Sequence, residues 1–337
     1  MTDCPSVLND YTKLKKMPTI CDKKYRTVCC PMKTITTSTT TTTTQSPKRV
    51  SERKCREYSQ YNFLNYTVQS AVLGESAVEK QKDECGHKSV ELIVGGTEAT
   101  DREFPHMALI GYHEGKVDDY HCGGSVISEF WIISAAHCAN TAEGLAKFAK
   151  LGHVIRNRTT DNSWTHTIVQ RVLHPNYDPE LAQDDIALFK LGSAAKLGKY
   201  VVPICLPQTE VQTTKKAIAT GWGRTGFSED VSEKLMKVTL EYFNRSTCDH
   251  QYEDDDKLNN QGINWSKMLC AGSRTKSGDT CNVSGPLQIY NSNVECMYTI
   301  VGITSFGSVF CGTVGVPAIY TKVFYYLDWI EGTVWPN

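Results

Sequence analysis

The stretch Cys122-Gly-Gly-Ser-Val-Ile-Ser-Glu-Phe-Trp-Ile-Ile-Ser-Ala-Ala-His137-Cys138 holds two apolar runs, 124–127 and 131–134, parted by a short polar break. Each run is too short for a helix and rich enough in Val, Ile and Trp to read as a strand. The histidine follows directly on the second run, where a buried strand ends, and the cysteine after it is placed to reach Cys122.

Runs of the same kind recur at 107–112, 168–173, 186–191, 217–221, 237–242, 299–304 and 318–322, each broken by Gly, Pro, Asn or Asp nearby. This texture predicts an all-β unit from residue 93 onward. The exception is the end of the chain. There Tyr325, Leu327, Trp329 and Ile330, with Asp328 and Glu331, predict a short amphipathic helix.

Two further segments carry chemistry. In Asp184-Asp185-Ile186-Ala187-Leu188, Asp184 reads as an exposed residue at a strand start. Asp185, flush against the apolar run, reads as a buried carboxylate, which needs a cationic or N–H partner. The His137 imidazole would be such a partner, its tautomer fixed by the carboxylate. The third segment is Asp279-Thr280-Cys281-Asn282-Val283-Ser284-Gly285-Pro286-Leu287, a serine between a cysteine and a Gly-Pro turn. A histidine by itself is more often structural or solvated, and that reading suits His87, His106, His113, His121, His153, His166, His174 and His250.

The 337 residues suffice for one large or two ordinary domains. A formal net charge of −1, without a long Lys/Arg cluster, argues against nucleic acid or a polybasic membrane surface as the partner. No apolar run approaches the roughly 18 residues of a membrane span. The 14 cysteines do not repeat at zinc-finger spacing and favour disulfides in a secreted protein. No His/Asp/Glu cluster has metal spacing, and no calcium loop is evident.

Before residue 93 the texture differs. Cys4, Cys21, Cys29 and Cys30 crowd residues 3–31 as a small stapled module. Residues 34–46 are almost all Thr and Ser, which cannot bury apolar surface and are expected to stay disordered. Residues 47–92 are polar and mixed, with a short helix expected near 52–60, and Cys55 and Cys85 tie this stretch to something else.

Together with Ile93-Val94-Gly95-Gly96 and Gly221-Trp222-Gly223-Arg224, these segments resemble the chymotrypsin-like serine proteases, in the chain order His, Asp, Ser, over residues 93–337. The resemblance implies two six-stranded antiparallel β-barrels with a short C-terminal helix and a cleft between them. His137 would be general base, Asp185 its orienting acid and Ser284 the nucleophile. Asp279 would lie at the base of a pocket selecting Arg or Lys. Ser305-Phe306-Gly307 would pair with substrate backbone, Gly307 leaving the pocket mouth open. Ala318 would stand at a pocket wall usually held by Gly and narrow it.

The N-terminal cysteines, the run Arg49-Val-Ser-Glu-Arg-Lys-Cys55 and the Leu92-Ile93 junction resemble the arthropod clip-domain proteases of the Snake type. That likeness divides the chain into a partial clip domain at 1–31, a Thr-rich linker and propeptide at 32–92 and a protease domain at 93–337. It implies a secreted zymogen cut between Leu92 and Ile93 by an activator preferring a large apolar residue. Downstream zymogens would be its substrates and serpins its inhibitors, without a cofactor. The implied disulfides are Cys122–Cys138, Cys248–Cys270, Cys281–Cys311, Cys85–Cys205, Cys55–Cys296 and Cys4–Cys30. Cys21 and Cys29 are then left over. Residues 1–20 hold no apolar signal region, so the expectation is that two upstream cysteines and a signal peptide precede this chain.

One segment departs from the family pattern Cys-x-Gly-Asp-Ser-Gly-Gly-Pro. Here it reads Cys281-Asn-Val-Ser-Gly-Pro286, two residues shorter. The absent glycine normally gives an oxyanion-hole N–H, whose loss costs roughly 2.7–4 kcal/mol. Val283 cannot receive the Ile93 ammonium that the family's aspartate receives, which leaves that charge in water and the zymogen form persisting. Two accounts follow: a catalytically silent homologue acting as a binding cofactor, or a loop whose missing pair is present in the native protein. Sequons stand at Asn65, Asn157, Asn244 and Asn264, and a fifth, at Asn282, lies in the nucleophile loop.

Overall fold

The computed structural model describes residues 20–22, 27–28, 48–68, 77–86, 96–113, 120–156, 164–210, 214–223, 232–258, 261–274, 285–307 and 315–336. The chain divides into two compact units, Met1–Pro47 and Lys48–Asn337. The described part of the first is an antiparallel pair, β1 (Ile20–Asp22) and β2 (Thr27–Val28).

The second unit opens with helix α1 (Val50–Ser59), where a helix is expected, followed by an antiparallel pair, β3 (Phe63–Val68) and β4 (Val78–Asp83). The two-residue strand β5 (Thr97–Glu98) leads into the barrels.

The first barrel holds β6 (Met107–Gly111), β7 (Tyr120–Ser128), β8 (Trp131–Ser134), then, after a small hairpin of β9 (Asn140–Thr141) and β10 (Gly144–Leu145), β11 (Phe148–Leu151), β12 (Thr165–Leu173) and β13 (Ala187–Leu191). It closes in the order β11-β12-β13-β8-β7-β6, with β11 paired to β6. Closure leaves no edge, and the apolar runs Met107–Gly111 and Trp131–Ser134 are buried throughout.

The second barrel uses β14 (Lys216–Gly221), β15 (Met236–Tyr242), β16 (Met268–Gly272), β17 (Pro286–Tyr290), β18 (Tyr298–Phe306) and β19 (Ala318–Lys322). Its order is β14-β17-β18-β19-β16-β15, closed by β14 on β15, with β5 added to β15. Helix α2 (Arg245–Gln251) precedes β16, its first turn capped by Asn244, which accepts from the Thr247 N–H. The chain ends in α3 (Leu327–Val334), which buries Leu327, Ile330 and Val334. Both expected barrels and the expected terminal helix are present.

The barrels meet through a buried polar chain. His106, just before β6, lies 2.7 Å from Gln288 Oε1 in β17, and Gln288 Nε2 donates to Thr220 Oγ1 in β14 at 3.1 Å. Burial pushes the His106 pKa down to about 4, against the opposing pull of the Gln288 bond. A neutral ring suits this dry site.

From Lys48 onward the stretch before the barrels is built into the same unit. One opening N–H of α1 finds a partner in α3: Glu331 Oε1 accepts from the Ser51 N–H at 3.1 Å and from the Ser51 hydroxyl at 2.5 Å. Arg49 pairs with Asp328 and Glu331. Cys55 and Tyr58 of α1 pack with Val202, Cys205, Val294 and Met297.

That packing overturns two expected disulfides. Cys55 bridges Cys205, and Cys85 bridges Cys296. The helix face carrying Cys55 is the one seated on Val202 and Cys205, so Cys205 is within its reach. Cys85 emerges beyond β4, near Cys296. Cys122–Cys138 and Cys248–Cys270 form as expected. Cys4, Cys30, Cys281 and Cys311 lie outside the described residues.

Candidate active site

His137 sits in a single 3-10 turn, Ala136–Cys138, immediately after β8. Asp185 lies two residues before β13. The strands β8 and β13 pair antiparallel with Ser134 opposite Ala187, so the end of one and the start of the other fall side by side. Sheet register alone brings the two residues together, and the Cys122–Cys138 bridge ties the histidine turn back to β7.

The pair is held twice. Asp185 Oδ1 accepts the His137 backbone N–H at 3.0 Å, and Oδ2 lies 2.8 Å from His137 Nδ1. Ser305 Oγ in β18 donates to the same Oδ2 at 2.6 Å, and Thr321 Oγ1 in β19 donates to the Asp185 carbonyl at 2.9 Å. The second barrel thereby fixes the first barrel's carboxylate. Burial by itself would raise the pKa of Asp185. The charge and hydrogen bonds of His137, with the Ser305 hydroxyl, outweigh it and hold the carboxyl below its usual range. The Asp185 side chain is 4% exposed against 38% for His137, so the imidazole reaches the surface from a buried anion. With Nδ1–H given to Asp185, Nε2 is the nitrogen that can take up a proton.

Ser305, expected only as a substrate-strand residue, also orients the acid. Asp184 corrects the expectation of exposure: it is 4% exposed. It accepts from Lys267 Nζ at 2.8 Å and from the Tyr326 hydroxyl at 2.9 Å, with His174 Nδ1 at 3.7 Å. Its φ of 53° lies in the left-handed region that Asp tolerates better than most residues. Lys267 and Tyr326 come from distant sequence, and nothing next to Asp184 announces them. Burial keeps the His174 pKa below its ordinary value, Lys267 adding to the effect and Asp184 opposing it.

Gly307 and Ala318 are neighbours: a Cβ at Gly307 would stand 3.4 Å from the Ala318 Cβ. Ser284, Asp279 and the Leu92-Ile93 junction lie outside the described residues. The residue after the expected nucleophile is placed. Gly285 O accepts from both the N–H and the hydroxyl of Thr304 at 3.0 Å. Its Cα runs so close to Thr220 that a Cβ would lie 2.1 Å from that carbonyl oxygen, and only glycine fits.

Residues 93–330 match the family profile "Trypsin". Among curated proteins the chain is similar to Serine protease snk of Drosophila melanogaster, 32% identical over 337 residues, covering 97% of this chain and 73% of that protein. Melanization protease 1 of the same species is 32% identical, over 74% of this chain and 67% of its own length. CLIP domain-containing serine protease B4 of Anopheles gambiae is 31% identical, over 74% and 72%.

Proposed function

The chain belongs to the trypsin family, and from that premise we propose that it is a secreted zymogen whose active form is a serine endopeptidase of an extracellular proteolytic cascade. The observation that carries this reading is the buried carboxylate of Asp185, bonded at once to His137 Nδ1 and Ser305 Oγ. A structural histidine has no need of such an arrangement, and general-base chemistry does.

In the proposed reaction, Ser284 attacks an Arg or Lys peptide carbonyl and passes its proton to His137 Nε2. The resulting imidazolium is stabilised by Asp185 and protonates the leaving amine, and water repeats the sequence on the acyl-enzyme. Asp279 supplies the charge that selects the basic side chain, and Ala318 narrows the pocket beside it. Cleavage between Leu92 and Ile93 switches the zymogen on, and Cys55–Cys205 and Cys85–Cys296 keep the preceding segment attached. Downstream zymogens are its substrates, an upstream protease its activator, and serpins its inhibitors. The relatives' names, a melanization protease and clip-domain proteases among them, support an immune or developmental setting in an arthropod.

A second reading, a silent homologue that binds cascade partners, is favoured by one observation: Asn282 and Val283 stand where the family has Gly-Asp. A fluorophosphonate probe separates the two. Added after cleavage before Ile93, it is expected to label Ser284 and to lose that label in Ser284→Ala. Absence of labelling, with peptide mass spectrometry finding the short loop over 277–287, selects the binding homologue.

A further inference from the structure

The β3–β4 pair stands away from the body of the unit. Every residue from Leu64 to Val68 and from Val78 to Asp83 is exposed, so neither face packs against the barrels. Among the described residues neither strand has another strand beside it. The register sets Leu64 opposite Lys82, Tyr66 opposite Lys80 and Val68 opposite Val78. Cross-strand partners point to the same side and side chains alternate. One face therefore carries Leu64, Tyr66, Val68, Val78, Lys80 and Lys82. The other carries Phe63, Asn65, Thr67, Glu79, Gln81 and Asp83.

The two faces differ in charge by their composition: two lysines on the first, two carboxylates on the second. Leu64 is 52% exposed and Val78 56%, with Tyr66 and Val68 also open, an apolar strip in water. Lys82 remains 64% exposed although Glu84 lies 3.5 Å away. The sequon Asn65-Tyr-Thr places Asn65 and Thr67 on the acidic face, so a glycan there would leave the apolar face open. The base is bolted on both sides, by Cys55–Cys205 before the pair and Cys85–Cys296 after it. Tying the base on both sides restricts the pair's freedom, which lowers the ordering cost of a partner.

We propose that the Leu64–Tyr66–Val68–Lys80–Lys82 face of the β3–β4 pair is a docking surface for an extended, acidic segment of a partner protein. The lysines attract carboxylates, the apolar strip takes alternate side chains, and the open edge of β4 offers backbone N–H and C=O groups for strand addition. An anionic bilayer fits less well. A bilayer offers no strand to pair with the open edge of β4, whereas an extended protein segment does.

The test uses the full-length chain and a fluorescent eight-residue peptide, Glu-Thr-Glu-Thr-Val-Thr-Val-Thr, whose Glu and Val share one side of an extended strand, with the same peptide carrying Lys for Glu and phosphatidylserine vesicles as competitors for the same face. Polarisation is expected to show saturable binding of the Glu–Val peptide, weakened roughly fivefold between 50 and 300 mM salt. Lys80→Glu with Lys82→Glu should abolish it, and Leu64→Ser with Tyr66→Ser should weaken it roughly tenfold, about 1.4 kcal/mol. Hydrogen exchange should slow at the β4 amides in the complex. Unaltered binding in these variants, equal binding of both peptides, preference for vesicles, or no binding at all would each overturn the proposal. All four residues are exposed, and an unchanged melting temperature verifies that the variants fold. Binding is measured without catalysis, so its outcome is independent of whether Ser284 reacts.

Discussion

The two barrels contribute to the cleft in different ways. The first supplies His137 and Asp185 from the ends of paired strands, where register and burial leave each side chain one place to go. The second supplies Ser305 and Thr321 from equally regular strands, but its expected nucleophile belongs to a loop whose sequence departs from the family. Positions fixed by a sheet tolerate little change without loss of the barrel. A loop can change length while the barrel stands, and here the barrel side of the segment is held by Gly285, which accepts from Thr304. Acid–base geometry can thus persist in a fold whose nucleophile has drifted.

The largest expected effect would break the comparison from the first barrel's side. Asp185→Asn should lower kcat on an arginyl nitroanilide about 10⁴-fold after cleavage before Ile93, through the wrong imidazole tautomer. An unaltered rate would mean that the pair is idle. From the other side, rebuilding the loop as Cys-x-Gly-Asp-Ser-Gly-Gly-Pro should raise kcat about 10²–10³-fold by restoring an oxyanion donor. No rise would show that the short loop already provides one.

A smaller effect concerns the joint between the barrels. His106 has a pKa of about 4 in the folded protein, against about 6.5 when unfolded. The stability it contributes is complete above about pH 6.5. It is lost as pH falls toward 4, at up to about 1.4 kcal/mol per unit, because the unfolded chain takes the proton first. Denaturant titrations between pH 7 and 4.5 should show this slope, and His106→Gln should flatten it. The Asp185 contribution, from a lowered carboxyl pKa, is present above the ordinary carboxylate pKa of about 3.9 and is lost as pH falls through and below it. Smallest of all, Ala318→Gly should lower KM for arginyl substrates less than about tenfold at constant kcat, by removing one methyl from the proposed pocket wall.

Much of the barrel architecture is legible in sequence because each strand is a short apolar run with a turn signal beside it. The run 131–134 coincides with β8 and 318–322 with β19. His137 and Asp185 are legible for a related reason: each directly adjoins such a run, so burial can be inferred. Asp184 is misread because its partners arrive from Lys267 and Tyr326, far along the chain. The cysteine exchange has the same origin, since spacing does not reveal which side of α1 meets Cys205. The β3–β4 pair is hidden by its composition. Its alternation mixes Asn, Thr, Glu, Lys and Gln with the apolar residues, and no buried face organises them.

The bridges Cys55–Cys205 and Cys85–Cys296 interleave along the chain, with sequence separations of 150 and 211 residues. On the secretory route proposed above, Cys55 and Cys85 would both meet an oxidant before either partner leaves the ribosome, at roughly 5–20 residues per second. A bond between those two would form first and would have to be undone. The native pairing would then be selected once the barrels have formed and α1 has found its seat. On that order of events these disulfides would lock a finished assembly, after thiol exchange has undone any early bond.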